Sequence, residues 1–449
     1  MGLPDELNGQ QPPSYVDTLD PPDLELDGLP GYSDTQQSPL ASISPADLNL
    51  KEFEYKIEKN GKTSATLTLI AHESISKTVP TFKEGFPIKG RIYLNLSNEN
   101  LEYVKSIVIK IQGQLITGGS EFLGYTYTFL DVPHEIWARS ENGVALLQGE
   151  CSWPFAIDLP ETVSMECGVD KQPEMFRLPQ TFNDRYIHAT TRYELSMKII
   201  RSGILRSNDI LSAPFGFIPL TRPSPLPPLR RLAYEEGTPL LGPKVDPDGW
   251  FWLNAVQIIG KTLNNATAKI ECRLTYTRGS VIPLFMTLES DDKQALDLLS
   301  SPKAIFVRVR RRIKYHAEPK KNIESKVWRD DVDHSQRAVW WPATEYSGTT
   351  PPERLRTVNG EIHLKPNMAP TSAMGNFRID YSMVFLKFKT PGFDHSEDSQ
   401  LLSEQPITIV TAYAPGPRPR MSTPVNYEPD EKGHSDDLQT VGEFSKGFY

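Results

Sequence analysis

Pro12-Pro13-Ser14-Tyr15 is the stretch of this 449-residue chain whose residue types and spacing specify the most definite chemistry. Two adjacent prolines hold the backbone near polyproline II before any partner arrives, and the ring of Tyr15, two positions on, can dock beside them in the groove of a WW domain. Leu29-Pro30-Gly31-Tyr32 repeats the pattern seventeen residues later, with Leu29 in place of the first proline. The chemistry is recognition rather than catalysis: a peptide to be bound through Pro12, Pro13 and Tyr15, and through Leu29, Pro30 and Tyr32. A chance meeting of Pro and Tyr in a proline-rich segment is the competing account. The second copy, and a surrounding sequence that would bury neither tyrosine, count against it.

A second pattern is electrostatic. In Val307-Arg308-Val309-Arg310-Arg311-Arg312-Ile313-Lys314, an extended backbone would put Arg308, Arg310, Arg312 and Lys314 on one face and Val307, Val309 and Ile313 on the other, with Arg311 the exception. Such a stripe suits anionic lipid headgroups or an acidic segment of a cargo protein, at about 1 kcal/mol per basic residue beside a charged bilayer. The acidic N-terminal segment of the chain is a further candidate to fold back onto it. A solvated strand face that discourages edge pairing produces the same pattern.

Other motifs carry less. Ala255-Val256-Gln257-Ile258-Ile259-Gly260-Lys261-Thr262 fits a loose phosphate-loop spacing. Val256, Ile258 and Ile259 read as strand, however, and a phosphate nest needs small residues leading into a helix. His72-Glu73 and His134-Glu135 each lack the second histidine of a zinc-protease helix, and no nucleophile elbow occurs. Neither catalysis nor a cofactor is expected. Cys151, Cys167 and Cys272 have no metal-ligand spacing and are odd in number, which suits a reducing compartment. Pro225-Leu226-Pro227-Pro228-Leu229-Arg230 fits an SH3 ligand, although a packed linker explains the same prolines. Ser38-Pro39, Ser44-Pro45 and Thr423-Pro424 are acceptors for proline-directed phosphorylation.

The elements that must position these residues are strands. Ala65 to Ile70, Gly90 to Leu96, Ser106 to Gly113 and Tyr193 to Ile199 alternate apolar with polar residues between Gly, Pro, Asn and Ser, as half-buried antiparallel strands do. A 3.6-residue period is confined to Lys293 to Leu299. The expected fold is all-β, in two tandem β-sandwich domains at 51–222 and 249–413. A proline-rich linker spans 223–248, and disordered tails span 1–50 and 414–449. The first tail holds nine acidic residues and no basic one. Without it the chain has 48 of each, so the net charge of −9 belongs to the tail. A neutral body argues against nucleic-acid binding. No signal peptide or membrane span is expected, and the chain reads as cytoplasmic.

The halves echo each other. Ile92 to Leu96 and then Lys105 to Lys110 correspond to Leu284 to Leu288 and then Lys303 to Arg308. Leu178-Pro179-Gln180-Thr181-Phe182 before Tyr193 corresponds to Met368-Ala369-Pro370-Thr371-Ser372 before Tyr381. Separately, Phe86-Pro87-Ile88-Lys89-Gly90, Ser152-Trp153-Pro154-Phe155-Ala156-Ile157-Asp158-Leu159-Pro160, Leu178-Pro179-Gln180-Thr181-Phe182 before Arg192-Tyr193-Glu194-Leu195, Ile270-Glu271-Cys272-Arg273-Leu274, Gly360-Glu361-Ile362-His363-Leu364 and Ile379-Asp380-Tyr381, in that order, make the chain resemble the arrestins over roughly 53–413. The likeness is to the α-arrestin branch common in fungi. The resemblance implies tandem immunoglobulin-like sandwiches and an adaptor that brings a WW-domain HECT ubiquitin ligase to a membrane transporter or receptor. Recruitment to the plasma membrane or endosomes follows from it. The chain departs from many relatives in carrying its PPxY before the arrestin body and in having LPxY as its second motif. The alternative is an arrestin-like sorting or signalling scaffold that recruits no ligase.

Overall fold

Alternation of burial along the backbone builds the architecture. In the strand Ile88–Asn95, Ile88, Gly90, Ile92 and Leu94 are buried while Lys89 and Arg91 are exposed, and Ala189–Arg201 keeps the same period over thirteen residues. The computed structural model describes residues 50–427 except 60, 73–77, 97–103, 118–124, 140–148, 168–171, 185, 203–206, 261–265, 272–274, 278–279, 317–327, 344–352, 376 and 397–398. Among these the secondary structure is predominantly strand, as the sequence predicts.

The first half contains β1 (Leu50–Lys59), β2 (Lys62–His72), β3 (Thr81–Lys83), β4 (Ile88–Asn95), β5 (Val104–Thr117), β6 (Tyr125–Ala138), β7 (Glu150–Ile157), β8 (Thr162–Cys167), β9 (Gln172–Arg177), β10 (Phe182–Asn183), β11 (Ala189–Arg201) and β12 (Asp209–Ile218). The second contains β13 (Val256–Ile258), β14 (Ala266–Glu271), β15 (Thr275–Thr277), β16 (Val281–Glu289), β17 (Phe306–His316), β18 (Trp328–Arg337), β19 (Val339–Pro342), β20 (Leu355–His363), β21 (Ser372–Met374), β22 (Phe377–Leu386) and β23 (Leu401–Val410).

Strand order repeats between the halves. The run β6-β5-β11-β12-β3 is matched by β18-β17-β22-β23-β15, and β2-β4-β7 by β14-β16-β20. Both runs end in a parallel pair, β12 with β3 and β23 with β15, among otherwise antiparallel neighbours. The echo extends to single atoms. The Tyr193 hydroxyl donates to the Pro179 carbonyl at 2.7 Å and the Tyr381 hydroxyl to the Ala369 carbonyl at 2.7 Å. Thr181 donates its N–H to the Phe217 carbonyl and accepts the Phe217 N–H on its hydroxyl. Thr371 makes the same reciprocal pair with Ile409.

Two findings depart from the sequence reading. The proline-rich stretch 223–248 holds a helix, α1 (Pro228–Glu236), which Pro228 opens and Gly237 closes in the left-handed region at φ 71°. Proline at the first helical turn is compatible with helix, because the N–H it lacks would be unbonded there anyway. Arg230 on α1 is buried over the Trp250 ring, with its guanidinium carbon 4.5 Å from the ring centroid and its Nη2 donating to the Gly249 carbonyl. The second finding concerns 414–427, which composition assigns to a loose tail. This segment packs on the body through hydrogen bonds from Ser422 and Thr423 to Glu361. The other helix, α2 (Lys293–Leu299), lies where the 3.6-residue period falls, capped by the Asp292 carboxylate on the Ala295 N–H.

Candidate functional site

Pro12, Pro13, Tyr15, Leu29, Pro30 and Tyr32 lie outside the described residues. The basic stripe does not. β17 alternates as predicted: Val307, Val309, Ile313 and Tyr315 are buried, Arg312 is exposed, and Arg308, Arg310 and Lys314 are half-buried on the opposite face. The stripe is less open to water than a solvated face would be. Arg310 Nη1 is paired to Glu404 Oε2 at 2.8 Å, and the other oxygen of that carboxylate accepts the Ser382 hydroxyl.

At the Phe306 end the charges concentrate. Arg308 stands opposite Arg337 in the antiparallel register of β17 and β18. The Arg337 guanidinium lies 3.8 Å from the centroid of the Phe306 ring and donates to the Lys303 carbonyl, while the Lys389 ammonium approaches the same ring at 5.3 Å. Burial, and then the neighbouring Arg308 charge, push Arg337 down to about 10, and burial lowers Arg308 as well. The Arg308 Nε has no hydrogen-bond partner. Two partly buried guanidiniums side by side disfavour each other's charge, and an anion placed between them would relieve that cost.

Arg311, the residue that breaks the alternation, turns to the opposite face and reaches the other half of the molecule. Its Nη2 lies 3.2 Å from Asp184 Oδ2, and both side chains are largely buried. Phe182 and Phe377 pack at 5.4 Å between the halves. Sequence patterning marks Arg311 as exceptional but gives no hint of Asp184, which lies 127 residues away. Val256–Ile258, inside the phosphate-loop-like stretch, is strand, and Gly260 bridges to His395.

Among the described residues, no group of three or more His, Cys, Asp or Glu side chains is arranged to hold a metal ion, and no helix is long and apolar enough to cross a membrane. No family model matches the chain, and no curated protein matches it.

Proposed function

We propose that this chain is a non-catalytic adaptor of the arrestin type. In this reading two tandem sandwiches present a folded surface to a membrane transporter or receptor, and the segment around Tyr15 recruits a WW-domain HECT ubiquitin ligase for ubiquitin-dependent endocytosis and sorting. The observation that carries it is Pro12-Pro13-Ser14-Tyr15 placed ahead of a duplicated all-β body. The two recognition modes are physically separate. An extended peptide binds through its polyproline frame and one aromatic anchor, whereas a folded surface binds through fixed charges and shape. The Arg308–Arg337 end of the basic stripe is the part of that surface that would meet an anionic lipid or an acidic cargo segment. The chain would be cytoplasmic and recruited peripherally to the plasma membrane or endosomes.

Recovery of partners from cells with the intact chain and with Tyr15→Ala tests the reading. A HECT ligase captured by the first and lost from the second is the expected result. Equal capture, or none by either, would instead favour a sorting or signalling scaffold that works without ubiquitin transfer.

A further inference from the structure

Glu361 on β20 is buried, with its side chain 2 % exposed, yet it meets donors from a segment some sixty residues further along the chain. The Ser422 N–H donates to Oε1 at 2.6 Å. The Thr423 N–H and hydroxyl donate to Oε2 at 3.2 and 2.7 Å. His363 Nε2 lies 3.3 Å from the same Oε2 and 3.1 Å from the Thr423 hydroxyl. A buried carboxylate needs its water replaced by donors, and here residues 422 and 423 supply them.

The segment is anchored at its other end too. Thr411 and Thr221 exchange N–H to hydroxyl bonds at 2.9 and 3.1 Å, the Ala412 N–H donates to the Thr221 carbonyl, and Arg222 Nη1 donates to the Tyr413 carbonyl. Residues 411–427 therefore form a strap from the chain just ahead of α1 to the C-terminal end of β20. The flanks of Thr423 are open, with Met421 70 % and Val425 85 % exposed. Pro424 follows directly, which is the dipeptide that a proline-directed kinase reads.

We propose that Thr423 is a phosphorylation site whose modification releases this strap from Glu361. The hydroxyl is engaged while the strap is down, so the kinase acts on the fraction of molecules in which the segment has locally lifted. The Thr423 oxygen attacks the γ-phosphorus of a nucleoside triphosphate held by the kinase. The new O–P bond forms as the bond to the β-phosphate oxygen breaks, a nucleoside diphosphate leaves, and the hydroxyl proton passes to the kinase. Thr423 then has no hydroxyl donor left and carries about −1.5 to −2 charge. Redocking would press that phosphate against the buried Glu361 carboxylate, with His363 as the adjacent group able to carry a positive charge. Like charges in a partly buried site oppose the return, and the strap stays off. The inference stands on the strap alone and does not depend on the adaptor reading.

Hydrogen exchange over residues 421–427 of the full chain tests this, with the phosphate located by mass spectrometry after treatment with a proline-directed kinase and ATP. The phosphorylated chain and Thr423→Glu should both exchange about tenfold or more faster than the unmodified chain. Thr423→Ala, which loses one donor but adds no charge, should speed exchange only about two- to threefold. Exchange that is unchanged in Thr423→Glu, or a phosphorylated chain no faster than Thr423→Ala, would overturn the proposal, as would failure of the kinase to modify Thr423.

Discussion

Tyr193 and Tyr381 occupy equivalent places in the two halves, each with its hydroxyl turned onto a backbone carbonyl twelve to fourteen residues upstream. Burial, and then the Glu84 carboxylate, hold the Tyr193 phenol well above its ordinary range, so it remains a protonated donor. Tyr193→Phe or Tyr381→Phe keeps the ring packing but leaves a carbonyl without its partner. Each is expected to cost about 1–2 kcal/mol, read as a lowered urea midpoint at unchanged slope. Asp209 gives a pH signature. Burial raises its carboxyl, but hydrogen bonds from Lys59 and Arg201 outweigh that and hold it below the usual carboxylate range. A group depressed in the folded state contributes stability above its unfolded value and loses it as pH falls through the folded one. Asp209→Asn should therefore flatten the loss of stability on acidification below about pH 4 while lowering stability at neutral pH. The tyrosine motifs are visible in the sequence because each is local, within fourteen residues. Asp184 and Glu361 are not, because their partners lie far along the chain and their burial is decided only when sheets and strap come together.

At the scale of the strand, β17 shows how far periodicity reaches. Alternation locates Arg308, Arg310, Arg312 and Lys314 on one face correctly. It cannot tell that Arg310 is paired with Glu404, that Arg308 and Arg337 crowd each other, or that Arg311 crosses to Asp184. Those outcomes depend on neighbouring strands and on the packing of one half against the other. Arg311→Ala should cost about 3 kcal/mol because it strands a buried carboxylate, whereas Arg312→Ala, at an exposed site, should change stability by less than about 0.5 kcal/mol. Thermal or urea unfolding of the two variants side by side makes the comparison. If the stripe meets lipid, replacing Arg308, Arg310 and Arg312 together by Ala should weaken sedimentation with anionic vesicles about tenfold. The full additive loss is not expected, since Arg310 already has a carboxylate partner. Equal binding by both proteins would make the stripe an ordinary strand face. α1 is a lesson of the opposite kind: prolines argue against a helix interior, yet one at the first turn starts a helix, and its buried Arg230 meets Asp246, Gly249 and Trp250 further on.

For the whole molecule, the duplication is legible in the amino-acid sequence, since both halves keep the same order of apolar strands and the same Thr and Tyr positions. The folded chain adds a shared sheet order and a buried core that runs on from one half to the other. What joins the halves is not legible: the Arg311–Asp184 ion pair, the Phe182–Phe377 contact and the bonds between Thr221 and Thr411, among the described residues, link positions too far apart in sequence to leave a pattern. The proposed role as adaptor rests on the peptide instead. If the seventeen-residue stretch from one tyrosine motif to the next behaves as a random coil, its r.m.s. span is roughly 20–25 Å, within reach of a ligase with tandem WW domains. Titration of the full chain with a tandem WW-domain fragment is the most direct test of that role. The account predicts saturable binding that Tyr15→Ala weakens at least tenfold and that Tyr32→Ala weakens less. Affinity unchanged by Tyr15→Ala, or no binding by the intact chain, would contradict it.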